Sequence, residues 1–418
     1  MPVPSPRWFP ILLSLFLGGA VPAAVTYQDW DQPPHRYFER TPTDRFSRWK
    51  SRFEAGEVPL DRSSERAFLR SLLAALEIPA SSQLWVYSTT SLQLSRISPS
   101  NPRAIYFTDD LSVGYIPGGR IEILALDPDL GGVFYIFDIP RPGGPVVIER
   151  ATRCMNCHAG EDTGFIPGWS VRSVIPAVGG GSLNAFRGGR TGHDIPLSER
   201  FGGWHVTGAD AFTNHWGNRL GTMEGGVMVP RPLAPGSQFD PGRYAAETSD
   251  LVAHLVFEHQ AGFVNRAVEA QYRVRTHLHS DGGNLSESHR AEIDAQAAGL
   301  VRYLLFADEV PLPPGVPLKD SPFRKEFEGG GGTAAMQVLR ELDLETRLFR
   351  HRCSFLVGSP VFTGLMEPLR TIVLAQLSAA LDPAGTHPAS RHLSSGERTT
   401  LREILVRTRV LTEPRSAK

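Results

Sequence analysis

Hydrophobic positions change period twice along the chain. Phe68, Leu69, Leu72, Leu73 and Leu76 recur at three- and four-residue intervals, the spacing of one helical face. Ser63 or Ser64 stands where a cap belongs, and Pro79 lies beyond the end. The period then falls to two. Short β-branched or aromatic runs at 84–87, 104–107, 113–116, 121–126 and 133–137 are parted by Pro, Gly and Asp, with Pro117-Gly118-Gly119 as a hairpin turn. An antiparallel meander of about five strands is the expected product. It continues through 146–148.

From 159 to 245 periodicity fades and Gly is frequent. So long an irregular stretch inside a compact domain is normally functional. Helical period returns at about 250, with Thr248 or Ser249 as cap and Asp250 in the first turn. At 100° per residue Leu251, Val252, Leu255, Val256, Phe263 and Ala270 fall on one stripe running to about Leu278. His259 and Arg266 sit within that stripe and His254 off it, so His259 and Arg266 need polar partners. Further helices are expected at 287–306, 334–349, 365–381 and 397–411, the last opened by a capping box at Ser394 and Glu397. The whole reads as α+β: an N-terminal antiparallel meander, a loop-rich middle and a helical C-terminal region. Residues 26–60, rich in Pro, aromatics and charge, read as a wrapping arm with a short helix.

Composition adds three constraints. Apolar residues at 41% with 9% aromatics suit a packed globular protein. With 43 basic and 44 acidic side chains the net charge is -1, which gives no reason to expect nucleic acid or an anionic membrane as partner. The three cysteines leave no disulfide framework, and Cys353 reads as a buried thiol.

At the N-terminus Arg7 precedes an apolar stretch over 8–25, with a core at 11–20 and small residues Val21, Pro22 and Ala23 for cleavage. This is the layout of a secretory signal peptide over 1–23. No later stretch has comparable apolar length, so no membrane span is expected after cleavage. The remaining chain divides into 24–150 (arm, helix and meander), 151–310 (the loop-rich segment with the long helix over 249–278) and 311–418 (helical).

The candidate chemistry centres on Cys154-Met155-Asn156-Cys157-His158. Two thiols two residues apart with a histidine next is the attachment pattern of a c-type haem. Cys154 and Cys157 reach the two vinyl groups as thioethers, and His158 supplies the proximal ligand to iron. A zinc site would need a second ligand pair, and only Cys353 remains. A redox dithiol does not need the histidine and belongs in a thioredoxin-like βαβ setting that is not visible here. Export agrees with one covalent haem, because such haem is attached outside the cytoplasm. The sixth ligand is expected to be His193, with His215, His259, Met223 and Met228 as alternatives. Arg172, Arg200 and Arg266 are candidates to neutralise the propionates.

Several runs look like a known family. Residues 88–93 (Ser-Thr-Thr-Ser-Leu-Gln), 102–107 (Pro-Arg-Ala-Ile-Tyr-Phe), the Cys154–His158 motif and 196–204 (Pro-Leu-Ser-Glu-Arg-Phe-Gly-Gly-Trp) resemble exported bacterial monohaem cytochrome-c-domain proteins, as do Glu258-His259-Gln260 and 343–349. The likeness covers roughly residues 60 to 410. It implies haem and export but names no substrate. His193 and His215 occupy histidine positions of that family, whereas the acidic residue before the first is Gly192 here, and a methionine beside the second is Trp216. A six-coordinate carrier passing electrons to a redox partner protein in the periplasm is the expectation. A haem oxidoreductase with an open distal site and a small-molecule substrate is the alternative, and a structural or sensory haem is the third reading.

Overall fold

The computed structural model describes residues 26–141, 144–189, 191–208, 212–313, 320–331 and 333–412. The expected signal peptide lies outside the described residues. Two helices, α1 (Arg45–Glu54) and α2 (Glu65–Ala75), precede the meander. Of the two candidate caps for α2, Ser64 is the one used: its side chain accepts from the Ala67 amide, a contact worth about 1 kcal/mol. Strands β1 (Leu84–Val86), β2 (Arg103–Phe107), β3 (Leu111–Tyr115), β4 (Arg120–Asp127), β5 (Gly131–Asp138) and β6 (Glu149–Arg150) then follow. They form an antiparallel sheet in the order β6-β5-β4-β3-β2-β1, and β9 (Trp204–His205) joins its far edge beside β1. The architecture is α+β.

Alternation decides what each face of the sheet meets. Ala104, Val113, Ile123 and Tyr135 share one face and are buried. Phe46 of α1 packs on Tyr135 and Phe68 of α2 on Phe137, so the two N-terminal helices cover this side. On the other face Ile105, Gly114, Glu122 and Ile136 stand side by side across four strands. That second face is the floor of the site described below.

After β6 come the short helix α3 (Met155–His158) and two hairpins, β7 (Val174–Pro176) with β8 (Ser182–Ala185) and β10 (Arg219–Glu224) with β11 (Val227–Pro232). The central helix α4 (Leu251–Ser280) is buried on most of its circumference, not along one stripe. Tyr272 ties it to the β4–β5 turn through a 2.9 Å hydrogen bond to the Leu130 carbonyl. Its cap is Asp250, which accepts from the Val252 amide, because the Ser249 hydroxyl is spent on the His205 carbonyl. The helix after it is α5 (Glu287–Leu304), followed by α6 (Pro322–Gly329), α7 (Ala334–Gln337), α8 (Pro360–Thr363), α9 (Leu369–Ala380) and α10 (Ser395–Arg407).

The helix expected over 334–349 is cut short after one turn. Asp343 accepts from the amides of Glu345 and Thr346, Leu344 takes φ +61, and Leu342 pairs back to Phe349. An Asx turn has outcompeted the helix. The helix expected over 365–381 opens at Leu369, just after Pro368. The capping box at Ser394 and Glu397 is present. One continuous set of buried apolar side chains runs from Tyr37 to Leu411 across all three expected segments. No helix among the described residues is long and apolar enough to cross a membrane.

Candidate functional site

Cys154, Cys157 and His158 line one cleft that is partly open to solvent. A smaller polar lobe of about 350 Å³ adjoins it, lined by Arg103, Arg172, Ser88 and Ser170 together with Cys157 and His158. The single turn of α3 sets the two thiols and the imidazole on one side, and the sheet face supplies the opposite wall. Gly114 keeps that wall deep. A Cβ there would lie 3.2 Å from Glu122 Oε2.

The histidine is oriented from behind. His158 Nδ1 lies 3.0 Å from the Gly168 carbonyl, and the Gly168 amide returns a 2.9 Å bond to the His158 carbonyl. Nδ1 must therefore donate, which leaves Nε2 as the ring's basic nitrogen. The carbonyl is itself fixed. Asn265 of α4 accepts from the Trp169 amide at 2.8 Å and donates to the Trp169 carbonyl at 2.9 Å. A Cβ on Gly168 would come within 2.5 Å of that Asn265 oxygen, so the close approach requires glycine. Phe134 packs 4.5 Å from the imidazole. Burial lowers the His158 pKa to about 4, so the ring is neutral, as a metal ligand must be. Burial pushes the Cys154 thiol up to about 12.

The cleft wall carries one clamped charge pair. Arg103 Nη1 lies 3.0 Å from Glu122 Oε2, while Ser91 Oγ and Gln93 Nε2 donate to Glu122 Oε1 at 2.6 and 2.8 Å. Burial opposes the charge on Glu122, but Arg103 and these donors outweigh it and hold the pKa below the usual value. Sequence reasoning gave no role to Arg103, Glu122, Trp169 or Asn265. The only signal was that 88–93 and 102–107 belong to the runs carrying the family resemblance.

The remaining candidates go elsewhere. His193 does not line the cleft: its Nδ1 lies 2.7 Å from His259 Nδ1, and it stacks on Tyr303 at 4.0 Å. His259 completes a buried chain with Nε2 at 2.8 Å from Ser354 Oγ. His215 accepts from the Gly217 amide and sits between Phe201 and Phe212. Met223 and Met228 face each other across the β10–β11 hairpin, where Met223 is 56% exposed.

Arg172 does reach the polar lobe, with its Nε on Asp162. Arg200 is instead committed to Glu258 and to the carbonyls of His193 and Ile195. Arg266 binds Asp194 at 3.0 Å and the Thr191 carbonyl, and lies 4.3 Å over the Tyr303 ring. The polar partners demanded by His259 and Arg266 are thus other protein groups.

The cleft suits a covalently held haem in chemistry: two free thiols, a neutral imidazole of fixed tautomer, apolar side chains in its lining and arginines at one polar end. Among the described residues no group of three or more His, Cys, Asp or Glu side chains is assembled as a metal site. The thiol pair therefore has no further protein ligands to complete a tetrahedral zinc centre. No protein-family model, curated protein or solved structure matches the chain.

Proposed function

We propose that the cleft would hold one haem c, bonded through Cys154 and Cys157 and ligated by His158 Nε2, with no second histidine or methionine of the described residues at hand to ligate its iron, so that a small molecule could bind there. The chain then acts, after export to the periplasm, as a haem-dependent oxidoreductase or ligand-binding protein. When bound, the haem supplies a redox-active iron able to coordinate a small ligand. The protein would fix the imidazole's tautomer through Gly168 while burial keeps the ring neutral, wall the cleft with the β2–β5 face, and offer Arg172 to the propionates.

One observation favours this over a six-coordinate carrier. All thirteen histidines lie among the described residues, and of them only His158 lines the cleft. Every methionine except Met1 is likewise described, and none lines it.

Two measurements test the reading. In acid–acetone extraction of protein from the periplasmic fraction, colour stays with the polypeptide, whereas Cys154→Ser/Cys157→Ser gives protein whose colour is absent or extractable. Complete extraction from the unaltered protein rules out the thioethers. The ferric protein is expected to be high-spin and to turn low-spin on adding cyanide. A low-spin spectrum that cyanide leaves unchanged would mean that a protein side chain fills the sixth position, and would restore the electron carrier.

A further inference from the structure

Two buried donors in the cleft have no acceptor. Trp169 is 2% exposed and its indole N–H has no hydrogen-bond partner; Arg103, whose Nη1 is fixed by Glu122, has a buried Nε–H in the same condition. Both residues line the cleft. A buried N–H left unmatched costs free energy, so two of them on residues that line one cleft would favour an acceptor bound there. Glu122 does not serve as that acceptor for Nε: it engages Arg103 through Nη1 alone, and Nε is left without a partner.

We infer that Arg103 Nε–H and Trp169 Nε1–H form an anion-recognition site within the cleft, with Glu122 as the positioning residue that turns the guanidinium. This rests on the haem reading above and adds a chemical class to it. The bound group is anionic, and is either a small exogenous anion brought to the iron or a carboxylate of the prosthetic group. Donors of this kind give an anion short, charge-assisted hydrogen bonds.

The test uses the haem-loaded protein and two conservative changes. Trp169→Phe keeps the ring and removes the N–H. Arg103→Lys keeps a cation for Glu122 and removes Nε–H. Azide, an anion, and imidazole, a neutral ligand, are titrated by the shift of the main absorption band, and the midpoint potential of each variant is recorded. For an exogenous anion, azide binding weakens about ten- to hundredfold in each variant while imidazole binding is unchanged. For a propionate, azide binding is unchanged and the midpoint potential falls. Variants with intact spectra that change neither azide affinity nor potential overturn the site. If the unaltered ferric protein binds neither azide nor imidazole, the free iron position is what has failed, and the potential of the two variants still decides the inference.

Discussion

Lowering the pH from 7 to 5 is expected to cost this protein several kcal/mol of stability and to bring its unfolding midpoint down steeply. The cause is a set of histidines buried in neutral form. Burial lowers His35, His205, His254 and His259 to about 3 and His215 to about 4, and holds His193 well below the ordinary value. Each folded-state pKa is below the unfolded value of 6.5, so the unfolded chain binds more protons as the solution is acidified. The stability is therefore complete above 6.5 and is lost as pH falls toward 4 and 3. At pH 5 His35, His205, His215, His254 and His259 each cost roughly 2 kcal/mol, and His193 acts in the same direction.

Buried acids work the other way. Burial raises Glu309 to about 7 and also raises Asp44, Asp109 and Asp250, so their protonation favours the fold on acidification. Glu309 returns roughly 2–3 kcal/mol at pH 5, which six histidines outweigh. Urea unfolding at pH 7.5, 6 and 5 measures the net. His205, whose two ring nitrogens are buried without partners beside Trp85, Tyr87 and Phe239, isolates one share. In His205→Leu the loss between pH 7 and pH 5 should shrink by about 2 kcal/mol, whatever the substitution does at pH 7. A midpoint that stays level from pH 7 to 5 would contradict the neutral-histidine account.

The same histidines show where the sequence could be read and where it could not. Cys154, Cys157 and His158 are legible because their chemistry is local: one turn of helix sets all three. The strands of the meander are legible because a two-residue period over a turn-bounded run has few other outcomes. His193 is different. It lies in a glycine-rich loop, and its partner His259 is 66 residues away on a helix. Nothing in either segment separates a histidine that binds iron from one that binds another imidazole. Arg103 and Glu122 escaped notice for a related reason. They meet only because β2, β3 and β4 adopt one register, and a one-residue slip of either β2 or β4 would turn one of the two to the opposite face. The helix expected over 334–349 failed on turn chemistry, since Asp343 binds two amides ahead of it.

Glu258→Gln is expected to be among the most damaging single substitutions outside the cleft. Glu258 is 3% exposed in the N-terminal third of α4, and two buried arginines converge on it from the loop-rich segment. Arg187 Nη2 donates to Oε1 at 2.7 Å, and Arg200 Nε lies 3.3 Å from Oε2. Arg187 has the Val171 carbonyl as a further acceptor at 3.2 Å, while its Nε and Nη1 have none. Glutamine keeps the shape but removes the charge, leaving two guanidinium groups in a dry interior. Breaking a buried ion pair from one side costs about 3–5 kcal/mol, because the remaining charge has lost its compensation.

The damage should spread from α4 to the loops. Arg200 also closes the His193–Ile195 turn through their carbonyls, so the loop over 191–200 should loosen with it. Glu269→Gln on the same helix is the control. Its partner Arg273 is one helical turn away and both side chains are 28% exposed, so about 0.5 kcal/mol is expected there. Urea unfolding at pH 7.5 compares the two, and proteolysis within 191–200 reports the loop. If Glu258→Gln loses no more stability than Glu269→Gln, the buried triad is not what holds the loop-rich segment to the central helix.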